Sequence, residues 1–469
     1  MNKSNISKLN NLWSDLVSGG MNDSFEIVSQ LSVLIFLKRL DSIQNLKEAN
    51  AAFWETEVSD PIFDDIHETC RWSIFSKFSK DKMFNNMKEK VFPFLQFDIS
   101  LNSDTYYAAY LKNTDFKIPN ADLLYDAVYV IGSIDFDDEN TTEECFSHLL
   151  SKLSPDYNKA QFRTPSVLVD LMTELVKPNI EDTICDPAVG TGSFLVSAAK
   201  YIWNNSKSEF TNQDNLDRFS SKVFTGMDFD PDMVNITAMN LNLAKVLNPD
   251  ITLVDSLSAG NIHSNEYSLI LTNPPFSTKT NADHVAESLQ SSKTSSNTSV
   301  LFFRLLLRML KSGGRCAAII PDVILFGVQG ANMLIKNDLL NNHRIEAIIP
   351  ISDSGIEYLG NLSFSIIIFT KDIPEGTSDV WYYNYTSSDC IPDLIYRYNH
   401  KEDEYNRSRY DKSFFVSKKE IIENNYMLIF DRYKKSVSNA DYSSFDSIQD
   451  LEIANSILRN SLNDLDSDI

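Results

Sequence analysis

From about residue 160 onward, short runs rich in β-branched and aliphatic residues alternate with helical stretches, and this alternation limits the possible folds more than any other feature of the chain. The candidate strands cover 183–186, 223–228, 251–254, 268–272, 316–321, 345–350 and 364–370, with helical stretches such as 193–203 and 300–310 between them. Strands separated by helices pair in parallel, with helices covering both faces of the sheet. The expected class is therefore α/β, built on a Rossmann-like, mainly parallel seven-stranded sheet. Ligands of such sheets bind at the carboxyl ends of the strands, where the strand order switches.

The preceding part, from about residue 6 to 150, reads as mostly helical. Residues 25–37 are apolar with helical recurrence, and Lys38 and Arg39 follow near the expected end of that helix. Further helices are expected near 82–95 and 120–132. The acidic run Asp135-Phe136-Asp137-Asp138-Glu139 reads as a boundary or a solvated turn. The reading gives three parts: a helical domain over 1–150, an α/β domain over 151–433, and a helical tail over 434–469. In the tail, Ile448, Leu451, Ala454, Leu458, Leu462 and Leu465 fall on one apolar face. That face docks on its own core or on another subunit. Residues 277–299 are rich in Ser, Thr and Asn, and read as a mobile loop or a substrate gate.

Two segments carry chemistry. The string Asp186-Pro187-Ala188-Val189-Gly190-Thr191-Gly192-Ser193-Phe194 follows a strand and opens a helix. Its glycines permit a tight turn and a close approach of backbone to ligand, although Leu195 replaces the third glycine of the dinucleotide fingerprint. Asp228 ends the next strand, where a carboxylate can accept bonds from both hydroxyls of a ribose or serve only the turn. Asp230, ahead of Pro231, reads as a helix cap. Asp255 ends a third strand and either receives the exocyclic amine of an adenine ring or caps a turn. The second segment is Leu269-Ile270-Leu271-Thr272-Asn273-Pro274-Pro275-Phe276, an apolar strand running straight into Asn-Pro-Pro-Phe. The Asn273 oxygen and the Pro274 carbonyl can take both hydrogens of a planar amine. The prolines, Pro275 included, keep those acceptors rigid, and Phe276 offers a face for stacking a base. A base drawn from a duplex would have to flip out to arrive there. The competing reading of the four residues is a rigid turn.

Composition removes other classes. No uncharged apolar run is long enough for a membrane helix, and the opening MNKSNISKLNNLW lacks the core of a signal peptide. Five scattered cysteines without a paired spacing suit a reducing cytoplasm, and no metal-ligand spacing occurs. The net charge of -23 speaks against a chain that grips phosphates alone.

Together these segments resemble the N6-adenine DNA methyltransferases, most closely the modification subunits of type I restriction–modification systems. DPAVGTGSF is similar to their cofactor loop, NPPF to their catalytic motif, and Gln161-Phe162-Arg163-Thr164-Pro165 to the segment that contacts the methionine moiety. Arg163 stands where an aromatic is common, and Asp228 where Glu is frequent. Leu12-Trp13 and Ile35-Phe36-Leu37-Lys38 resemble the helical N-terminal domain, 310–322 a later strand–turn region, and Asn425-Tyr426-Met427-Leu428 with Arg432-Tyr433 the closing segment. The resemblance implies a class I methyltransferase fold, S-adenosylmethionine as cofactor, and a flipped adenine in DNA as substrate. It also implies a separate specificity subunit joined by two modification subunits, with a restriction subunit able to add. No base-reading domain fits between Gly190 and Asn273, which agrees with borrowed specificity, and the resemblance tips the tail toward the specificity subunit. A methyltransferase for RNA or protein glutamine, or a non-catalytic scaffold of the same fold, are the alternatives.

Overall fold

The computed structural model describes residues 3–58, 61–98, 114–153, 164–276, 284–290, 297–327, 330–351, 363–387 and 390–435. In chain order, the principal helices are α1 (Lys3–Ser18), α2 (Ser24–Phe53), α3 (Ala121–Gly132), α4 (Glu139–Ser151), α5 (Ser166–Val176), α6 (Ser193–Asn205), α7 (Gln213–Ser221), α8 (Pro231–Leu243), α9 (Thr298–Met309) and α10 (Gly330–Asn342). The strands are β1 (Ile184–Asp186), β2 (Phe224–Asp228), β3 (Asp250–Leu253), β4 (Tyr267–Thr272), β5 (Leu310–Pro321), β6 (Arg344–Pro350), β7 (Phe364–Thr370), β8 (Asp379–Tyr383) and β9 (Ser413–Ser417).

The chain divides into two compact units. The first contains residues 1–163, 179–181 and 186–256, so it joins the N-terminal helices to the stretch carrying α6, α7, β2, α8 and β3. Its helical core is built from Leu9, Leu12 and Leu16 of α1, the buried run from Ile27 to Leu40 of α2, and Leu124, Val128 and Ile131 of α3. Met233, Ile236 and Met239 of α8 belong to the same core. Because α2 is buried all round over its first half, its apolar residues need no polar stripe.

The helix α2 does not stop near Lys38 and Arg39 but continues to Phe53. Lys38 instead reaches across to another helix, where its Nζ donates to the carbonyls of Ile131, Gly132 and Ile134. A cation is favoured there because the negative end of the α3 dipole lies at that point. The acidic run is a turn and a cap: Asp135 accepts from the Asp137 N–H, and Asp138 caps α4 by accepting from Thr141 N at 2.8 Å. Phe136, in the middle of the run, is buried.

The second unit contains 164–178, 182–185 and 257–469. Its strands lie in the order β1-β4-β5-β7-β6-β8-β9. β1, β4 and β5 run parallel, β7 lies antiparallel between β5 and β6, β8 is parallel to β6, and β9 closes the edge antiparallel to β8. With the parallel pair β2–β3 of the first unit, the described residues hold nine strands rather than the seven expected. All seven expected runs are strands. The additional two, β8 and β9, come from aromatic runs.

A half-buried ion pair fixes the start of this sheet. Arg315 of β5 grips Asp182 with both Nη atoms at 2.9 and 2.8 Å, and its Nε donates to the Val176 carbonyl at the end of α5. Ser268 of β4 donates to the same carboxylate at 2.7 Å. Helix α5 and strands β4 and β5 are thereby tied to the residue that leads into β1. The closing segment packs on this unit, with Leu428 N donating to Leu325 O and Tyr382 Oη donating to Leu428 O. The tail from 436 onward lies outside the described residues.

Lys336 of α10 is fully buried, and its Nζ donates to the Leu325 carbonyl at 2.9 Å. Burial pushes its pKa down to about 8. The unfolded chain therefore binds this proton more tightly, so stability rises with pH between about 8 and the unfolded value of about 10.5. Lys336→Met should raise the melting temperature at pH 7, by a free energy on the order of 2 kcal/mol. The Leu325 carbonyl keeps its bond from Leu428 N. Measured in thermal melts, the gain should shrink as the pH approaches 10.

Candidate active site

In the first unit, the chain leaves β1 through a buried Asp186, whose Oδ1 accepts from Ala188 N at 3.0 Å and tightens the turn. The Pro187 carbonyl accepts from Ser256 Oγ at 2.6 Å, and Val189 N donates to Met227 O of β2. Gly190 and Gly192 have φ of +52° and +77°, a region that side chains with a Cβ rarely adopt. A Cβ on Gly190 would meet nothing within 4 Å, whereas one on Gly192 would lie 2.9 Å from Thr237 Cγ2. The loop is thus open on one side and closely packed on the other. Thr191 and Ser193 bring their hydroxyls within 3.0 Å of each other, and Phe194 is buried on α6.

Helix α8 holds this loop by its carbonyls. Thr237 Oγ1 donates to Gly190 O at 2.6 Å, and Asn240 Nδ2 donates to Thr191 O at 2.9 Å. The loop's N–H groups are left to face other partners. One of them, Gly190 N, donates to Asp228 Oδ2 at 3.0 Å. The other oxygen of Asp228 accepts from Asp230 N at 2.9 Å. Asp228 is thus a brace between the end of β2 and the glycine loop, a role that spacing along the chain did not reveal. Burial pushes its carboxyl up to about 6, with the backbone donors from Asp230 and Gly190 opposing the shift.

Asp230 caps α8, accepting from Asp232 N, with Pro231 in the first turn. Strand β3 ends at Leu253, so Asp255 lies two residues beyond it and is exposed. Beside these carboxylates in sequence, Phe229 is 63% exposed and Leu253 is 45% exposed. Both are apolar side chains at strand ends that the sequence reading passed over.

In the second unit, every residue of β4 is buried up to Thr272. Asn273 follows, and its Nδ2 donates to Thr164 Oγ1 at 2.9 Å. Among the described residues, the buried amide oxygen of Asn273 has no hydrogen-bond partner. A buried acceptor left without a donor costs about 1–3 kcal/mol, so a native structure that keeps one invites a donor from outside. Pro274 is buried and Pro275 half-buried. Phe276 is half-buried, its ring 4.5 Å from that of Phe364 and tilted by 52°, while its carbonyl accepts from Ser299 Oγ at 2.9 Å.

Among the residues expected at the site, Gln161, Phe162 and Arg163 lie outside the described residues. Thr164 is buried at the start of α5. Of the polar stretch 277–299, residues 284–290 and 297–299 are described. Val285, Ala286 and Leu289 are buried, and Asn297 caps α9. No cluster of ligands for a metal ion occurs among the described residues, and no helix is long and apolar enough to cross a membrane.

β1 and β4 pair in parallel, Ile184 with Leu269 and Cys185 with Ile270. Asn-Pro-Pro-Phe leaves the sheet at the carboxyl end of β4, the edge where parallel α/β sheets bind ligands.

The model of the N-6 DNA Methylase family matches residues 138–441, well over half of the chain. That of the HsdM N-terminal domain matches residues 6–131. The chain is 24% identical over 388 residues to the type I restriction enzyme EcoEI methylase subunit of Escherichia coli, covering 79% of this chain and 75% of that protein. To the StySPI methylase subunit of Salmonella potsdam it is 28% identical over 242 residues, 48% of this chain and 44% of the relative. Among solved structures, it superposes on a type I restriction-modification methyltransferase subunit from Streptococcus thermophilus with a TM-score of 0.67, at 18% identity, covering 93% and 100% of the two chains. A protein from a structural study of type I R-M complex assembly gives 0.71 at 22% identity, covering 98% and 96%.

The packing of Gly192 generates a prediction that needs no ligand. Gly192→Ala forces both a strained φ and a clash with Thr237. It should cost about 1–3 kcal/mol of stability, read as a lowered thermal midpoint, whereas Gly190→Ala, strained but unobstructed, should cost less.

Proposed function

The chain belongs to the N-6 DNA methylase family, and we propose that its two motifs divide one reaction between them, the glycine loop holding the methyl donor and Asn-Pro-Pro-Phe holding the amine that receives the methyl. With an HsdM N-terminal domain ahead of the methylase region, it is the modification subunit of a type I restriction–modification system, an adenine-specific DNA methyltransferase. The observation that carries the chemistry is the buried, unpartnered oxygen of Asn273.

The residues present suit S-adenosylmethionine. Gly190 leaves open space, Asp228 supplies carboxylate oxygens for ribose hydroxyls, Asp255 stands ready for the adenine amine, and exposed Phe229 and Leu253 offer apolar faces. Asp186, Pro187, Ala188, Thr191, Gly192, Ser193 and Phe194 shape that loop, with Gln161, Phe162 and Arg163 assigned to the methionine end. When bound, the cofactor supplies an electrophilic methyl group. The exocyclic nitrogen of adenine is a weak nucleophile, because its lone pair is delocalised into the ring. Asn273 Oδ1 and the Pro274 carbonyl accept its two hydrogens and favour a geometry in which the lone pair is localised. Pro275 stiffens the turn, and the exposed part of Phe276 stacks on the flipped base.

The net charge of -23 supports a chain that works in a complex. A specificity subunit would then read the sequence and supply most of the phosphate contacts, with two modification subunits per complex and a restriction subunit able to join. The test is methyl transfer from labelled cofactor to DNA, by this chain alone and with the specificity subunit encoded beside it, with products identified by mass. N6-methyladenine formed only with the partner is the expected result. Modification of a defined site by the chain alone overturns the division of labour, and cofactor binding without DNA modification moves RNA and protein glutamine to the front.

Two substitutions separate the roles. Asn273→Ala should lower turnover by about 10²–10³-fold with cofactor affinity nearly intact. Asp228→Ala should instead weaken cofactor binding first, in an equilibrium titration. In the unsubstituted protein that affinity should fall as the pH drops through about 6, because protonation removes the charge to which the ribose hydroxyls donate.

A further inference from the structure

The side chain of Asn273 can present either end of its amide to a substrate, and only one end suits an incoming amine. In the structure the NH2 end is engaged by Thr164 Oγ1 at 2.9 Å, which leaves the oxygen buried and unpaired. We propose that Thr164 is a positioning residue for the methyl transfer, fixing the Asn273 amide so that its oxygen receives an N–H of the target amine. This rests on the adenine-N6 reading above and adds to it a residue that acts through Asn273.

The placement of Thr164 supports the role. It is 7% exposed and precedes Pro165, which opens α5 and whose carbonyl accepts from Leu168 N and Val169 N. A residue anchored on the first turn of a packed helix presents its hydroxyl at a fixed point. The other end of α5 is tied in turn, since the Val176 carbonyl accepts from Arg315 Nε at 2.9 Å. Asn273 is fixed from its own side by the fully buried β4 before it and the two prolines after it. The bond joins two rigid elements, and because a threonine hydroxyl can accept as well as donate, it is the hydrogens of the incoming amine that select the orientation with the NH2 on Thr164 Oγ1 and the oxygen toward the substrate. Reversed, the amide would set its NH2 against the hydrogens of an incoming amine, donor against donor. Without the Thr164 hydroxyl, the NH2 would be a buried donor lacking this partner and the amide would be free to turn.

The experiment compares Thr164→Val, which keeps the shape and removes the acceptor, with Thr164→Ser, which keeps the acceptor. Both are assembled with the specificity subunit and measured for cofactor dissociation constant, KM for DNA and kcat of N6-methyladenine formation. The expected result is a kcat about 10²-fold lower in Thr164→Val, with the cofactor constant within about threefold of the unsubstituted protein and Thr164→Ser restored to within about fivefold. If Thr164→Val does not fold, as judged by thermal melting, Thr164→Ala replaces it with the same expectation. The proposal is overturned if the loss lies in cofactor affinity, which would make Thr164 a contact to the methionine moiety instead. It is overturned equally if Thr164→Ser is as slow as Thr164→Val, or if the valine variant turns over normally. Should the unsubstituted complex form no N6-methyladenine, the adenine reading fails and this inference falls with it.

Discussion

Helix α8 is buried on nearly every side, and two demands meet on it. Met233, Ile236 and Met239 sit in the core made by the N-terminal helices, while Thr237 and Asn240 hold the carbonyls of the glycine loop. Asn235 adds a polar tie, its Nδ2 donating to Thr114 Oγ1 at 2.9 Å. Removing the N-terminal helices would strip the apolar covering from one side of α8, and the helix could then hold the loop only loosely. The helical region is therefore part of what shapes the glycine loop, and not an appendage attached for assembly alone. This is the physical reason that the first compact unit combines the N-terminal helices with β2 and β3.

The same economy shows in the carboxylates. Asp228 accepts two backbone N–H groups, Gly190 and Asp230, yet burial still raises its pKa to about 6. Two hydrogen bonds do not replace the hydration it lost, so the carboxylate retains unused acceptor capacity. A diol arriving there would complete a shell that the fold leaves incomplete, while the bond to Gly190 keeps the loop in register with the end of β2. Bracing and binding are compatible because a carboxylate has about four acceptor positions.

Much of this was legible before any coordinates. Seven strands could be read because each is an apolar run bounded by turn residues, and the Asp230 cap could be read because Pro231 follows it. β8 and β9 were missed because Val380-Trp381-Tyr382-Tyr383 and Phe414-Phe415-Val416 are runs that strands and buried helices share. The length of α2 was missed for a different reason. Lys38 reads as a C-terminal cation of its own helix, but it serves the carbonyl end of α3, some ninety residues away. The contacts that give the motifs their character are of this long-range kind. Gly190 meets Asp228 across 38 positions and Asn273 meets Thr164 across 109. No spacing rule reports such pairs, because each depends on which strand ends up beside which.

The Asn-Pro-Pro-Phe turn shows most clearly why sequence stops short of chemistry. As a string, it specifies stiffness and an amide, and a structural turn would use both in the same way. What distinguishes a site is the state of the amide oxygen. In a turn that only supports the fold, that oxygen would be expected to accept from a neighbouring N–H, since leaving it bare costs about 1–3 kcal/mol. Here the NH2 group is paired and the oxygen, equally buried, is not. The fold has satisfied one end of a single side chain and left the other, and Thr272 just before it also keeps a buried hydroxyl without a partner. A donor that reaches the Asn273 oxygen gains the pairing without any cost of reorganising the protein.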